Sequence, residues 1–295
     1  MNKRTLAHLA VLSTNLFFAA NYSLVKFIAP AFIKPFALNI FRVGVSLIFF
    51  WSIWMFEKVH VPIKKQHWPR FFWCAITGIA INQMLFIKGL TLTSTVHASL
   101  LMLATPLLIS IFAFIVLHEP LTLFKIVGLV LGISGAVLLI AGKENSAHAP
   151  NYLLGDLLIL LNAISYAVYF ILVKPLMHVY SAQQVTRWVF TIGLVLMLPI
   201  AWSQLPQIQW PLFELKHYLC LASVIITGTF LAYLFTAYGI QHLGAGITGV
   251  YIYTQPIFAV LIAALFLGET LSWIKVASAV LIFSGVYLVN RKRRT

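Results

Sequence analysis

Long apolar runs, broken at short intervals by polar or charged clusters, fill the chain from end to end. A helix needs ~20 apolar residues to cross the ~30 Å hydrocarbon layer of a bilayer. By that ruler, runs near residues 7–28, 36–56, 69–89, 95–117 and 122–141 each reach across. A polar stretch from Gly142 to Asn151 follows, with Lys143, Glu144, Asn145, Ser146 and Pro150 in it. Five more runs come near 154–174, 184–203, 216–239, 245–267 and 272–290. The pattern predicts an all-α membrane protein of ten transmembrane helices, since only helices and closed barrels satisfy their backbone in lipid. The opening Met1-Asn2-Lys3-Arg4 before an apolar run imitates a signal peptide. Span 1 has a counterpart in span 6, however, so it is expected to be retained.

That counterpart belongs to an internal repeat. A shift of 150 residues puts Ile76-Thr77-Gly78 on Ile226-Thr227-Gly228, Gly89 on Gly239 and Pro106 on Pro256. It also aligns Glu119-x-Leu121 with Glu269-x-Leu271, Lys125 with Lys275 and Ser134-Gly135 with Ser284-Gly285. Earlier spans match at slightly smaller shifts, Val25-Lys26 with Val173-Lys174 and Arg42 with Arg187. Shared lipid-span composition scatters Leu and Val matches; it does not bring Pro, Gly, Glu, Lys and Arg into register. The boundaries fall at 1–143 and 152–292. Each unit holds an odd number of spans, five, so the two units enter the membrane from opposite sides. Two inverted five-helix repeats around a midplane site are the architecture of secondary transporters.

Polar positions recur on particular faces of the spans, where lipid makes them costly unless they face the bundle interior or a water-filled path. Asn15, Phe18 and Tyr22 share one face of span 1. Asn162, Ser165, Tyr166 and Tyr169 share one in span 6, and Thr229, Tyr233 and Thr236 one in span 8. Span 9 adds Thr248, Tyr251 and Gln255; span 3 adds Asn82 and Gln83, and the repeat pairs Gln83 with Tyr233. Two roles are open to such residues: lining a substrate cavity, or joining helices to one another at roughly 0.6 kcal/mol per contact. As a set they describe a cavity with neutral hydrogen-bonding groups and aromatic walls, suited to a zwitterionic or weakly polar metabolite. Pro106 and Pro256 fall mid-span, where each removes a helical hydrogen bond and frees the carbonyl of Met102 or Ile252. They are candidate hinges or static kinks. Gly128-x-x-x-Gly132 with Gly135 in span 5, and Ser278 with Ser284-Gly285 in span 10, form small faces for close packing.

Composition sharpens this. The chain is 61% hydrophobic and 9% charged, against roughly 25% charged in a soluble domain, so a water-facing fold is excluded. The formal charge of +14 has a topological explanation rather than a nucleic-acid one. With the N-terminus inside, Lys3, Arg4, Lys58, Lys64, Lys65, Arg70, Lys125, Lys174, Arg187 and Arg291-Lys292-Arg293-Arg294 face the cytoplasm. Lys26, Lys34, Arg42, Lys88, Lys143, Lys216 and Lys275 face the other side. The excess places both termini in the cytoplasm. The acidic residues are Glu57, Glu119, Glu144, Asp156, Glu214 and Glu269, none of them in the middle of a span. A buried carboxylate exchanging proton for cationic drug is therefore not expected. His97 and His118, at the two ends of span 4, are either proton carriers or ordinary hydrogen-bonding partners. Arg42 is a candidate for a structural ion pair or a vestibule role, and its repeat mate Arg187 favours the structural one. Cys74 and Cys220 begin spans that enter from opposite faces, so no disulfide and no metal site are expected of them. No cofactor is expected either.

The chain resembles the EamA family of the drug/metabolite transporter superfamily over nearly its whole length. The resemblance rests on Thr105-Pro106-Leu107 through Leu117-His118-Glu119-Pro120-Leu121 and Gln255-Pro256-Ile257 through Leu267-Gly268-Glu269-Thr270-Leu271. Phe41-Arg42 and Asn21-Tyr22-Ser23-Leu24-Val25-Lys26 fit it too. Phe18-Ala19-Ala20 stands where the family often has a Trp-Gly pair, and His118 replaces a glycine. The resemblance implies export or uptake of small metabolites, frequently amino acids, through a cavity lined by spans 1, 3, 4, 6, 8 and 9. Spans 5 and 10 would pack behind.

The expected function is transport of a small neutral or zwitterionic metabolite by alternating access, in an inner or plasma membrane, by a monomer or weak homodimer. The expected partners are the small-molecule substrate and membrane lipid. A nucleotide-sugar or phosphometabolite exchanger would require several basic residues converging in the cavity. A lipid-modifying enzyme would require a nucleophile with its base, or a metal set, inside the membrane. A lipid-handling scaffold would not require so many inward polar stripes.

Overall fold

The computed structural model describes residues 2–56, 61–117, 123–141, 150–243, 248, 251–267 and 272–290. The Glu119 and Glu269 turns, Lys58, the polar connection from Gly142 and the terminal basic run lie outside the described residues. Among the described residues there is no strand, and the helices fall in the predicted spans. They are α1 (Lys3–Ile28), α2 (Pro35–Met55), α3 (Lys65–Leu92), α4 (Thr95–Met102 continued by Ala104–Leu117) and α5 (Leu123–Ala141). After the connection come α6 (Tyr152–Met177), α7 (Ala182–Ala201) and α8 (Leu215–Ile225, Ile226–Leu231 and Ala232–Leu243). α9 (Tyr251–Thr254 and Gln255–Leu267) and α10 (Trp273–Asn290) complete the order. Among the described residues seven helices are long and apolar enough to cross a membrane; Leu123–Leu139, Tyr251–Ile262 and Trp273–Gly285 are shorter apolar stretches, consistent with a total of ten.

Several starts are capped by side chains that accept from otherwise unpaired first-turn amides. Ser94 accepts from the amide of His97 (3.1 Å), Asn151 from Leu154 (3.1 Å) and Ser181 from Gln184 (3.2 Å). Ahead of α8 the Glu214 amide donates to His217 Nδ1 (2.9 Å). The exposed Glu214 carboxylate pairs with Lys216 (2.8 Å), whose hydrogen bond holds it below the ordinary carboxylate range.

Polarity is inverted relative to a water-soluble protein. Asn15, Arg42, Asn82, Gln83 and Asn162 are buried, whereas Ile48, Phe56, Leu265 and Trp273 are exposed. A bilayer solvates the second group and penalises the first, so the polar side chains collect inside.

The repeat is visible in the helices. Ile76–Ala80 of α3 and Ile226–Leu231 of α8 are both π-helical, and both carry the matched Ile-Thr-Gly. Each repeat lays its third helix against the first helix of the other: α3 packs along α6, and α8 along α1. Gly78 faces the ring of Tyr169 with no room for a Cβ, and Gly228 faces the amide of Asn21 in the same way. In the register that puts Val25-Lys26 on Val173-Lys174, Asn21 falls on Tyr169. The two contacts are one contact made twice. α5 and α10 lie together at the back, with Gly285 directly against the Gly128 carbonyl and the Gly132 backbone. The small faces of both helices therefore pack within the chain.

Candidate functional site

Between α1, α2, α3, α4, α6, α8 and α9 lies a cavity of about 110 Å³. Of the residues singled out from the sequence, Asn15, Phe18, Tyr22, Asn82, Gln83, Asn162, Tyr166, Tyr233 and Gln255 line it. Two do not. Tyr169 sits behind Tyr166, its ring stacked on that of Tyr166 at 5.9 Å and pressed against Gly78. Tyr251 turns toward the start of α1, where its hydroxyl meets His8 Nδ1 at 2.8 Å. One helical face is wider than one wall: Tyr166 and Tyr169 share a stripe of α6, yet only the first reaches the central space.

The polar groups of the wall hold one another across helices. Gln255 Nε2 donates to Asn15 Oδ1 (2.8 Å), and Asn15 Nδ2 donates back to the Val11 carbonyl one turn earlier (2.7 Å). Asn162 Nδ2 donates to the Asn82 carbonyl (2.8 Å), while Asn82 Nδ2 donates to the Asn162 carbonyl (3.3 Å). One direction of this exchange recurs in the other half, where Thr14 Oγ1 donates to the Ala232 carbonyl (3.4 Å). At the junction of the halves Gln83 Nε2 donates to Tyr233 Oη (2.9 Å). Asn39 of α2 supports that junction by donating to the Gln83 carbonyl (2.9 Å).

Aromatic rings form the rest of the wall. Tyr22 meets Phe86 edge-on at 5.4 Å, Phe18 meets Tyr233 at 6.2 Å, and Tyr166 meets Phe170 at 4.9 Å. Edge-to-face rings of this kind contribute beyond their buried area and hold their geometry.

The structure adds lining residues that periodicity had not selected: Val11, Thr14, Asn21, Arg42, Phe86, Met102, Thr105, Phe170 and Ile252. Thr236 and Thr248, on the polar stripes of spans 8 and 9, line it too. Arg42 carries the only charge among the described lining residues. Its Nε donates to Thr229 Oγ1 at 3.1 Å, and the Thr229 hydroxyl in turn donates to the Val224 carbonyl (3.1 Å). From the sequence Arg42 was open to a structural or a vestibule role; it stands in the cavity wall and ties α2 to α8 there. Arg187 lies over the rings of Trp51 and Trp54, at 5.1 and 5.4 Å, away from the cavity. Thr229, which accepts from Arg42, aligns in the repeat with Ile79, whose side chain has no acceptor.

Helix irregularities border the same space. Leu103 interrupts α4, and Pro106 stands in the first turn of the segment after it. A 3₁₀ turn, Tyr251–Thr254, precedes Pro256 in α9. Met102 and Ile252, whose carbonyls lack a partner at Pro106 and Pro256, both belong to the lining.

A second polar cluster lies at the end of the bundle. Asp156, at the start of α6 and 1% exposed, pairs through Oδ2 with His97 Nδ1 (2.8 Å). It also accepts from the Thr93 hydroxyl, while Lys26 Nζ donates to the Thr93 carbonyl (2.7 Å). From the sequence Asp156 was one more acid at a span end; only the apposition of the α3–α4 turn with α6 reveals it as a buried partner of His97. Among the described residues no group of three His, Cys, Asp or Glu is placed to hold a metal ion.

Comparison with known proteins adds independent findings. The sequence pattern described as the EamA-like transporter family matches residues 5–141 and 153–291. An uncharacterized transporter of Archaeoglobus fulgidus is 22% identical over 296 residues, covering 99% of each chain. A protein of Streptantibioticus cattleyicolor, described as a probable terminal-alkyne amino-acid exporter, is 27% identical over 78% of this chain and 75% of its own. A crystal structure with 19% identity superposes at a TM-score of 0.65 over 97% of this chain and 96% of the other, a similarity of fold.

Proposed function

This chain belongs to the EamA-like transporter family, and on that premise we propose that it is a secondary transporter of small neutral or zwitterionic metabolites, amino acids or their close relatives. Transport runs by alternating access through the central cavity. The observation that carries the reading is an aromatic-walled cavity at the junction of two repeats, with hydrogen-bonding groups that are neutral but for Arg42, where the repeat mates Gln83 and Tyr233 touch. A site on the axis relating two inverted halves is equivalent toward both membrane faces, which is what alternating access requires.

Cavity size argues for a small cargo. At ~10–15 Å³ per water-sized group, 110 Å³ holds a body on the scale of an amino acid. A nucleotide sugar is several times larger and needs more than one cation for its phosphates, which this lining does not offer. The amino-acid export named for the Streptantibioticus relative supports the same cargo class. In this reading Asn15, Asn82, Gln83, Asn162, Tyr233 and Gln255 offer hydrogen bonds to the substrate's polar end, and Phe18, Tyr22 and Tyr166 enclose its side chain. Tyr169 and Tyr251 support the wall from behind and from one mouth. Pro106 and Pro256 serve as hinges. The chain is a carrier rather than an enzyme, resident in a cell membrane with both termini in the cytoplasm.

The test is counterflow of a labelled amino-acid panel in proteoliposomes, with a pH gradient imposed and then collapsed. Specific uptake by the wild type that falls at least several-fold in Tyr22→Ala, Tyr166→Ala and Gln255→Ala supports the reading. A folded wild type that moves no panel member ends the amino-acid assignment.

A further inference from the structure

A buried charge without a counter-charge is among the costliest things a membrane protein can keep. Arg42 is one. It is 2% exposed, lines the central cavity, and its Nη1 has no hydrogen-bond partner among the described residues. Its one neutral contact, Nε to Thr229 Oγ1, uses a fraction of a fork that has five donors. No Asp or Glu is among the described residues of the lining. The wall thus contains a preorganised guanidinium whose planar geometry fits two oxygens of one group.

We propose that Arg42 is the anchor for a carboxylate on the transported substrate, so that the cargo is a monocarboxylate with a short apolar or aromatic body. This rests on the transporter reading of the same cavity. The other unpartnered groups of the wall are neutral acceptors: Asn162 Oδ1 and the hydroxyls of Thr105 and Thr248 are buried, lack partners among the described residues and belong to the lining. These can accept from an ammonium group but do not neutralise it. The carboxylate is accordingly required and the ammonium optional, and an amino acid and its deaminated analogue both bind. Ligand entry converts an uncompensated cation into a charge-assisted pair, which couples binding to the α2–α8 contact through Thr229.

Matched sets built on leucine and on phenylalanine test this: the amino acid, the same acid without its amine, the primary amide, and a phosphomonoester on the same body. Each is used to compete in proteoliposome counterflow and to shift the melting temperature of the purified protein. Wild type is expected to prefer carboxylate over amide ~10- to 100-fold, with or without the amine. In Arg42→Gln the preference falls to about one while the amide still binds; Arg42→Lys, which retains charge but not the fork, falls between. Arg187→Lys keeps the wild-type preference. If Arg42→Gln does not fold, the carboxylate-to-amide ratio in wild type and Arg42→Lys decides. A wild type that moves panel members without regard to the carboxylate, or that takes the phosphomonoester instead, overturns the anchor and leaves the transporter intact. A wild type that neither binds nor moves any member overturns both.

Discussion

Gln83 and Tyr233 occupy the same position in the two repeats, and they are hydrogen-bonded to each other, Nε2 to Oη at 2.9 Å. Residues related by a two-fold axis touch only where they lie on it. The contact therefore locates the pseudo-symmetry axis, and it does so in the wall of the cavity.

Tyr233→Phe removes the acceptor and retains the ring that packs on Phe18 and Phe190. Its expected stability cost is about 1 kcal/mol, a single net hydrogen bond, visible as a small shift in melting temperature. Its expected transport cost is larger, a several-fold fall in maximal exchange rate. Exchange at the wild-type rate by a folded Tyr233→Phe protein counts against a functional role for the axis contact.

Backbone meets backbone where α10 crosses α5. A Cβ at Gly285 would lie 2.5 Å from the Gly132 nitrogen, an atom that cannot step aside. At Gly132 itself a Cβ would meet the end of the Leu107 side chain, which can rotate away. Gly285→Ala should destabilise by ~1–3 kcal/mol, and Gly132→Ala by clearly less. Thermal unfolding in detergent ranks the two; the reverse ranking would mean that α5 and α10 are not packed as described.

The pair of Asp156 with His97 is buried on both sides, each 1% exposed. Removing one member takes a buried hydrogen-bond partner from the other, which costs about 1–3 kcal/mol. Asp156→Ala and His97→Ala should each lower stability by roughly that amount. The double variant should cost much less than their sum. A double-mutant cycle by thermal or chemical unfolding measures the coupling, and additive costs would dissolve the pair.

Pro256→Ala supplies an amide that lets the 3₁₀ turn Tyr251–Thr254 continue as α-helix into the segment that follows. If the proline serves as a hinge, substrate affinity measured by competition stays within about twofold. The exchange rate would drop by roughly tenfold. Pro106→Ala, in the matching position of α4, should behave alike. A change in affinity with no change in rate points instead to static kinks that shape the wall.

The sequence by itself determined the elements and their symmetry. Lipid imposes a length on each apolar run, and a register shared by Pro, Gly, Glu and Arg betrays duplication whatever the packing. It also indicated which faces are polar, because helical periodicity is local: Asn15, Phe18 and Tyr22 were visible as a stripe without any knowledge of what they face. The tertiary structure decided the partners. Tyr166 and Tyr169 were indistinguishable on the α6 stripe until Gly78 of α3 took the second ring. Asp156 and His97 lie 59 positions apart, and nothing local in either span announces the other. Arg42 and Arg187 were equivalent by repeat, and only packing set the first against Thr229 of α8 in the cavity wall and the second over Trp51 and Trp54. A side chain's role in a helical bundle depends on the neighbour that long-range packing brings to it. Periodicity records the face of each helix; the crossing of helices chooses what stands opposite.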